Sequence, residues 1–301
     1  MKRLRHLLEA GGLVVTLALL RALSPEAASN LGGFVCRKIG PRLHASERAR
    51  RNLRLVMPEL SAQRSEEIVV GMWDNLGRVF GEYPHLGRIC DEHSGYIELV
   101  DRGPVRELLA RPGATILCSA HIANWEILPV MAANHGLDMT SIVREPNNPL
   151  VRTTLDRIRG VAGGGRIPKG DASAKESFKV LRDGRILGIL FDQKLNRGLS
   201  IPFFGVDAMT TSAPAQLALR FRCPLVPVRI ERTGPARFRV RVQEALTLPD
   251  SGDKQRDMAQ VTRQLNAILE TWIRERPEQW FWLHRRWPDE AYVNAGTKAG
   301  V

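Results

Sequence analysis

Between residues 115 and 242, short runs of aliphatic and β-branched residues alternate with amphipathic helical stretches. This alternation limits the fold more than any other feature of the chain. Residues 115–119 (TILCS), 139–143 (MTSIV), 185–191 (RILGILF) and 225–230 (LVPVRI) read as strands, and 238–242 (FRVRV) alternates cleanly. Residues 125–135, 148–159, 172–182 and 212–221 read as the helices between them. Gly136 and Asp183-Gly184 supply stop signals, and Pro149 and Pro214 sit in first turns, where proline is tolerated. Strands that are apolar throughout need helices on both faces of their sheet. The expectation is an α/β fold: a mixed, mostly parallel sheet flanked by helices, with one antiparallel pair late and a long amphipathic helix over 255–276. There is no internal repeat. With 44% apolar and 25% charged residues over 301 positions, the chain is globular and not disordered.

The first hundred residues read differently. Residues 11–20 (GGLVVTLALL) are uncharged but too short for a straightforward span of about 20 residues. Glu9 interrupts the approach to this run, and Pro25 follows the best cleavage candidate, Ala22-Leu23-Ser24, so a signal peptide is not expected. Residues 7–23 read as an uncleaved hydrophobic helix, lying in the membrane interface or crossing at a tilt with Arg21 snorkelling; an ordinary buried helix is the alternative. Residues 42–54 and 61–80 read as amphipathic helices, the second capped by Ser61. The expected organisation is a membrane-anchoring helix (1–25), a helical membrane-proximal cap (26–110), an α/β core (111–290) and a disordered tail (291–301).

Charge supports a docking surface at this end. The chain carries a net +12, and its first 54 residues hold eleven Lys/Arg against three acidic residues. Such a surplus suits a membrane, an acidic protein or nucleic acid. Aromatic residues are only 6%, and the basic run adjoins an apolar helix instead of a stacking platform, so no nucleic-acid partner is expected. Cys36, Cys90, Cys118 and Cys223 form no C-x-x-C pair and read as small buried residues, with no metal, cofactor or disulfide implied.

The stretch Ser119-Ala120-His121-Ile122-Ala123-Asn124-Trp125-Glu126 ends a strand, carries a histidine through a loop and reaches a glutamate at a helix start. In open α/β sheets ligands bind at the carboxyl ends of strands. An imidazole there can act as a general base, given a carboxylate on its other nitrogen. Glu126 can meet His121 only across the turn, and a lone histidine can equally be a core or surface residue. Neither a G-x-S-x-G elbow nor a phosphate-binding glycine loop is present, so the histidine would activate a hydroxyl brought by the substrate. Gly163-Gly164-Gly165 has no strand before it and no lysine after it, and reads as a flexible turn.

Several segments, in order along nearly the whole chain, carry a family likeness. They are Arg51-Asn52-Leu53 with Pro58-Glu59-Leu60; Asn75-Leu76-Gly77-Arg78 with Glu82; His121 to Glu126; Arg144-Glu145-Pro146-Asn147-Asn148-Pro149-Leu150; Asp192-Gln193; Pro202-Phe203-Phe204-Gly205 with Ala208 and Thr210; and Pro277-Glu278-Gln279-Trp280 with Trp282-Leu283-His284-Arg285-Arg286. Together they resemble the lauroyl/myristoyl acyltransferases of lipid A biosynthesis, within the glycerolipid acyltransferase group.

The resemblance implies that group's fold and an acyl transfer from acyl carrier protein to a hydroxyl of a lipid A precursor or similar glycolipid. It implies work at the cytoplasmic face of a bacterial inner membrane. It makes His121 the base with Glu126 orienting it. Arg159 matches a family arginine, with Arg157 one misalignment away, and Asp192 would hold an arginine in place. It puts Asn124, Arg144, Asn147, Gln193, Thr210 and Arg285 on the substrate-binding side, where the Arg144 guanidinium could take a phosphate. Arg144, Arg159 and Asp192 could equally be surface ion pairs. Trp280 and Trp282 read as core, and Arg285 and Arg286 as a ligand edge. Two departures, the glutamate inside Arg144-Glu145-Pro146 and Ala213 after the threonines, bear on the acceptor more than on the reaction. A lysophospholipid or other glycolipid acyltransferase using acyl-CoA is the rival within enzymes.

Overall fold

In the computed structural model, residues 2–101, 103–110, 113–160, 164–170 and 172–294 are described. Helices come first: α1 (Lys2–Arg21), α2 (Pro25–Ile39), α3 (Ser46–Val56), α4 (Ala62–Glu82) and the short α5 (Leu86–Ile89). The alternating part follows as β1 (Ile97–Val100), α6 (Gly103–Ala110), β2 (Thr115–Ser119), α7 (Ile127–Asn134), β3 (Met139–Val143), α8 (Pro149–Gly160), β4 (Arg166–Pro168), α9 (Ser173–Arg182) and β5 (Ile186–Leu190). Then come β6 (Lys194–Phe203), β7 (Val206–Thr210), α10 (Ala213–Phe221), β8 (Leu225–Gly234), β9 (Arg237–Val242), α11 (Lys254–Glu275) and α12 (Asp289–Asn294).

Seven strands form one sheet in the order β1-β9-β8-β2-β5-β3-β4, and β6 and β7 form a separate antiparallel hairpin. Neighbours in the large sheet are parallel except β8 and β9. Alternate residues of β2 serve opposite faces. Ile116 and Cys118 join the apolar cluster that holds Leu53, Val69 and Trp272, and Leu117 joins the one that holds Ile127, Val130 and Phe238. Burial on both faces is why this strand reads as a continuous apolar run.

The segment expected to be a helical cap also contributes β1, an edge strand paired with β9. β1, β4 and the β6–β7 hairpin were not expected. β1 and β4 span only four and three residues, and β6 carries polar residues and a register shift between Lys194 and Leu199, so none shows a clean two-residue period. Gly163 lies outside the described residues. Gly164 and Gly165 are not a loose turn: Gly164 has φ +74°, and a Cβ on it would stand 2.2 Å from the Met139 carbonyl oxygen. A Cβ on Gly165 would meet Thr140 Oγ1 at 2.6 Å. Only glycine lets the chain pass this close to β3 before pairing with it as β4.

Helices α2 and α4 cross with their backbones in contact. A Cβ on Gly77 would lie 2.1 Å from the Gly32 carbonyl oxygen, and one on Gly81 would lie 2.2 Å from that of Ala28. Ser61 caps α4 as expected, accepting from the Arg64 amide at 3.1 Å. The basic stretch of α3 is partly structural: Arg50 pairs with Glu47 and Glu66, and Arg48 donates to the Leu283 carbonyl.

Helix α1 is not a buried helix. Leu7, Leu8, Val14, Val15 and Leu19 are half or more exposed, and its buried apolar residues are Ala10 and Leu20. It is tied down by polar contacts. Asn148 Nδ2 donates to His6 O and to Glu9 Oε2, both at 2.9 Å, and His85 Nε2 lies 3.0 Å from Leu20 O. No helix among the described residues is long and apolar enough to cross a membrane. Residues 291–294, expected in a disordered tail, belong instead to α12, where Tyr292 is buried and its hydroxyl donates to Asn52 Oδ1 at 2.5 Å. Residues 295–301 lie outside the described part.

Candidate active site

β2 and β5 are adjacent and parallel, with Ser119 opposite Leu190. His121 and Asp192 each lie two residues beyond that pair, so they leave the sheet side by side at its carboxyl edge, where such sheets bind ligands. His121 Nδ1 and Asp192 Oδ1 are 2.8 Å apart, and the His121 amide donates to Asp192 Oδ2 at 3.0 Å. The Trp280 indole donates to the same oxygen at 2.9 Å. The carboxylate on Nδ1 is therefore that of Asp192, 71 positions away, and not that of Glu126. Asp192 holds the imidazole and its loop, where an arginine had been expected.

Asp192 is fully buried. Burial by itself would raise its carboxyl, but the neighbouring His121 and the hydrogen bonds from His121 and Trp280 hold it well below the usual carboxylate range. An ionised carboxylate only accepts, so Nδ1 carries the imidazole proton and Nε2 presents its lone pair. Gln193 agrees with this tautomer. Its Oε1 accepts from the Lys169 ammonium at 2.9 Å, which turns its amide nitrogen towards His121 Nε2 at 3.3 Å. Trp125 and His284 pack on the imidazole, with ring centroids 5.1 and 5.2 Å away. Burial pushes His284 down to about 4, so it is neutral near pH 7, and its buried Nε2 has no hydrogen-bond partner among the described residues. Ligand atoms of His121, Asp192 and His284 lie within 4.8 Å of one another, and these are the described residues that could hold a metal ion.

His121 opens on a cavity of about 1300 Å³. This exceeds the roughly 300–1,000 Å³ usual for small-molecule sites. Its walls are mostly apolar, among them Trp125, Leu128, Met139, Ile142, Phe178, Ile189, Leu190, Leu195, Leu217 and Met258. Among the described residues its charged lining, His121 apart, is Arg144, Lys169, Lys194, Arg220, Arg222 and Lys254 against the acid Glu126. The space suits a long apolar chain, and the rim suits an anion.

The remaining expected residues divide. Glu126 lines the cavity and accepts the Tyr83 hydroxyl at 2.6 Å. Gln193 and Arg144 also line it, and Arg144 borders a second hollow with Arg152 and Arg166. Asn124 is fully buried and turned away from the cavity lining, donating to Glu82 Oε2 at 2.8 Å. Thr210 is buried too, accepting from Arg286 Nη2 at 2.7 Å and donating to the Ala208 carbonyl. Arg286 is core, not ligand edge: it is fully buried, its guanidinium sits 4.9 Å over the Phe203 ring, and burial pushes it down to about 10. Asn147 and Arg285 are exposed and outside the cavity lining. Arg159 lies in the last turn of α8 with its side chain outside the described part, and Arg157 is exposed on the same helix. Trp280 and Trp282 are fully buried, as expected of core.

Sequence reading missed Tyr83, Trp125, Lys169 and the basic rim from β6, α10 and α11. These come from separate elements with no shared motif, and only packing brings them together. Trp125 alone carried a signal, lying inside the stretch that holds His121.

Residues 2–289 match the family model for bacterial lipid A biosynthesis acyltransferases. The chain is 27% identical to the lipid A biosynthesis lauroyltransferase of Escherichia coli (strain K12) over 245 residues, 78% of this chain and 76% of that protein. It is 23% identical to a lipid A biosynthesis acyltransferase of Haemophilus influenzae over 248 residues, 78% of this chain and 73% of that protein. With a match that runs from α1 to the start of α12 and takes in every element around His121, the chain belongs to the bacterial lipid A biosynthesis acyltransferase family.

Proposed function

We propose that this acyltransferase moves a fatty acyl chain from an acyl carrier protein thioester to a hydroxyl of a lipid A precursor or related glycolipid, with His121 as general base. The observation that carries this reading is the half-buried His121, held by the buried Asp192 carboxylate and opening on a large, mostly apolar cavity with a basic lining. The apolar walls suit the acyl chain. The rim suits both a phosphorylated acceptor and an acidic carrier protein.

In the proposed reaction, His121 Nε2 takes the proton of the acceptor hydroxyl as its oxygen attacks the thioester carbonyl carbon. Asp192 keeps the proton on Nδ1 and stabilises the imidazolium that forms. The new C–O bond makes a tetrahedral oxyanion; its collapse breaks the C–S bond, and the imidazolium returns the proton to the leaving thiolate. Arg159 is the proposed partner of the oxyanion, on the family likeness, because that charge needs a donor already in place. Glu126 and Arg144 are proposed to orient the acceptor from the cavity wall, and Gln193 to give way to its hydroxyl.

The enzyme is proposed to work at the cytoplasmic face of the bacterial inner membrane. Exposed Leu7, Leu8, Val15 and Leu19 of α1, with Leu31, Phe34, Val35 and Ile39 of α2, support an interfacial attachment. Arg3, Arg5, Arg21, Lys38 and Arg42 are exposed on the same segment, as a surface facing anionic lipid requires.

The test is acyl transfer by purified protein from carrier-protein and CoA thioesters to a lipid A precursor, read by mass spectrometry. Activity with the carrier thioester is expected, and His121→Ala should lower kcat by about 1,000-fold. Use of the CoA thioester alone would overturn the donor; wild-type activity in His121→Ala would remove the base.

A further inference from the structure

A second buried carboxylate lies behind the His121 loop. Glu82, at the end of α4, is fully buried, and both its oxygens are occupied. Oε1 accepts from Ser29 Oγ at 2.7 Å, from the Ala236 amide at 3.3 Å and from Arg232 Nη1. Oε2 accepts from Arg232 Nη2 at 3.0 Å and from Asn124 Nδ2 at 2.8 Å. The Arg232 guanidinium also donates through Nε to Asn75 Oδ1 at 2.8 Å and lies 4.8 Å over the Phe238 ring.

From this pair the hydrogen bonds run into the loop. Asn124 Oδ1 accepts the Glu126 amide at 3.1 Å. Asn75 Nδ2 donates to the Ala123 carbonyl at 3.0 Å, and the Ala123 amide donates to the Gln279 carbonyl at 2.9 Å. Gln279 is itself fastened to Arg232, exchanging side-chain bonds with its amide and carbonyl at 2.8 and 2.9 Å. Ala123 has φ +49°, a left-handed conformation that a residue with a Cβ keeps only where its surroundings impose it. Both of its backbone polar groups are held by this network, two residues from His121.

Buried ion pairs are often replaceable by apolar side chains of like volume with no loss of stability, so burial alone does not explain this one. We propose that Glu82 and Arg232 are positioning residues: the pair fixes the left-handed turn at Ala123 through Asn75 and Asn124, and so aims the His121 imidazole into the cavity. Neither residue lines the cavity or touches substrate. The proposal rests on the reading of His121 as the base. A turn displaced by about 1 Å is enough to lower the rate roughly 100-fold while leaving the distant cavity walls intact.

The test compares His121→Ala, Asn124→Ala, the double variant Glu82→Met/Arg232→Met, and that double variant combined with Asn124→Ala. Each is assayed for kcat, KM and thermal unfolding, with a carrier-protein thioester and a lipid A precursor. The double-Met variant is expected to fold and to lose roughly 100-fold in kcat, with KM within about threefold. Asn124→Ala should lose about tenfold alone and little more on the double-Met background, since both act through one turn. Wild-type kcat in the folded double-Met variant, or losses that multiply fully with Asn124→Ala, would overturn the positioning role while a dead His121→Ala left the base in place. Should the double-Met chain not fold, wild-type kcat in Asn124→Ala overturns it. Activity in His121→Ala overturns the base and this proposal together.

Discussion

The His121 loop and helix α1 treat their side chains in opposite ways. In the loop, the polar groups of His121, Ala123 and Asn124 meet partners from α4, from the segment after β5 and from residues 279–281, and Ala123 is held in a strained turn. In α1, leucines and valines face outward, and a few hydrogen bonds to Asn148 and His85 fasten the helix. The proposed proton transfer requires a group aimed to within a fraction of an ångström, which suits surroundings as fully bonded as those of His121. The proposed contact of α1 with a fluid bilayer needs apolar area and charge, and no fixed partner.

Experiments can break that contrast, beginning with the largest effect. Asp192→Asn keeps the size of the side chain but can no longer fix the imidazole tautomer, and it unbalances the bonds to the His121 amide and the Trp280 indole. It should lower kcat by about 100- to 1,000-fold with a small change in KM. An Asn variant with near-normal kcat would mean that the pairing is structural.

Acid sensitivity is the next. His284 is held at about 4 by burial, against 6.5 when free, with Asp192, His121, Arg286 and Lys169 as its titratable neighbours. Between those values the unfolded chain binds the proton and the folded chain does not, so stability falls as pH drops from about 6.5 towards 4, by roughly 3 kcal/mol in all. His284→Gln should flatten the melting temperature across that window; an unchanged slope would place the sensitivity elsewhere. Asp192 contributes in a separate range. Its folded value is depressed, so its contribution is present above about 3.8 and is lost only as pH falls further.

The smallest effect belongs to α1. Changing Leu7, Leu8, Val15 and Leu19 together to Ser should weaken binding to anionic vesicles roughly 10- to 100-fold. Transfer to detergent-dispersed acceptor should stay at the wild-type rate. Loss of that rate with vesicle binding intact would make α1 part of the site and not a membrane contact.

Much of the fold was legible because β2, β5, β8 and β9 carry continuous or cleanly alternating apolar runs, and the helices between the strands have Pro149 and Pro214 in their first turns or stop before Gly136 and Gly184. β1, β4 and the β6–β7 hairpin were not, since they are short or polar and exist by pairing with elements that are distant in sequence. Of the site, His121 and Asp192 were each visible at the end of a strand. Their hydrogen bond was not, because nothing local says that β5 lies beside β2. The family likeness put Asn124 on the substrate-binding side. Its side chain instead turns inward to Glu82, from a helix that ends 42 positions earlier.

By itself, the sequence determined the layers of the fold, the histidine at a strand end, the surplus of positive charge near the amino terminus and the family likeness. These are local patterns, written in period, spacing and composition. Only the tertiary structure decided which carboxylate holds His121, that Arg286 and Thr210 belong to the core, and that basic residues of β6, α10, α11 and the loops after β3, β4 and α10 line the same apolar cavity. The reason is physical: strand order, register and burial are set by contacts between distant segments, and the identity of a side chain says what it can bond to but not what it will meet.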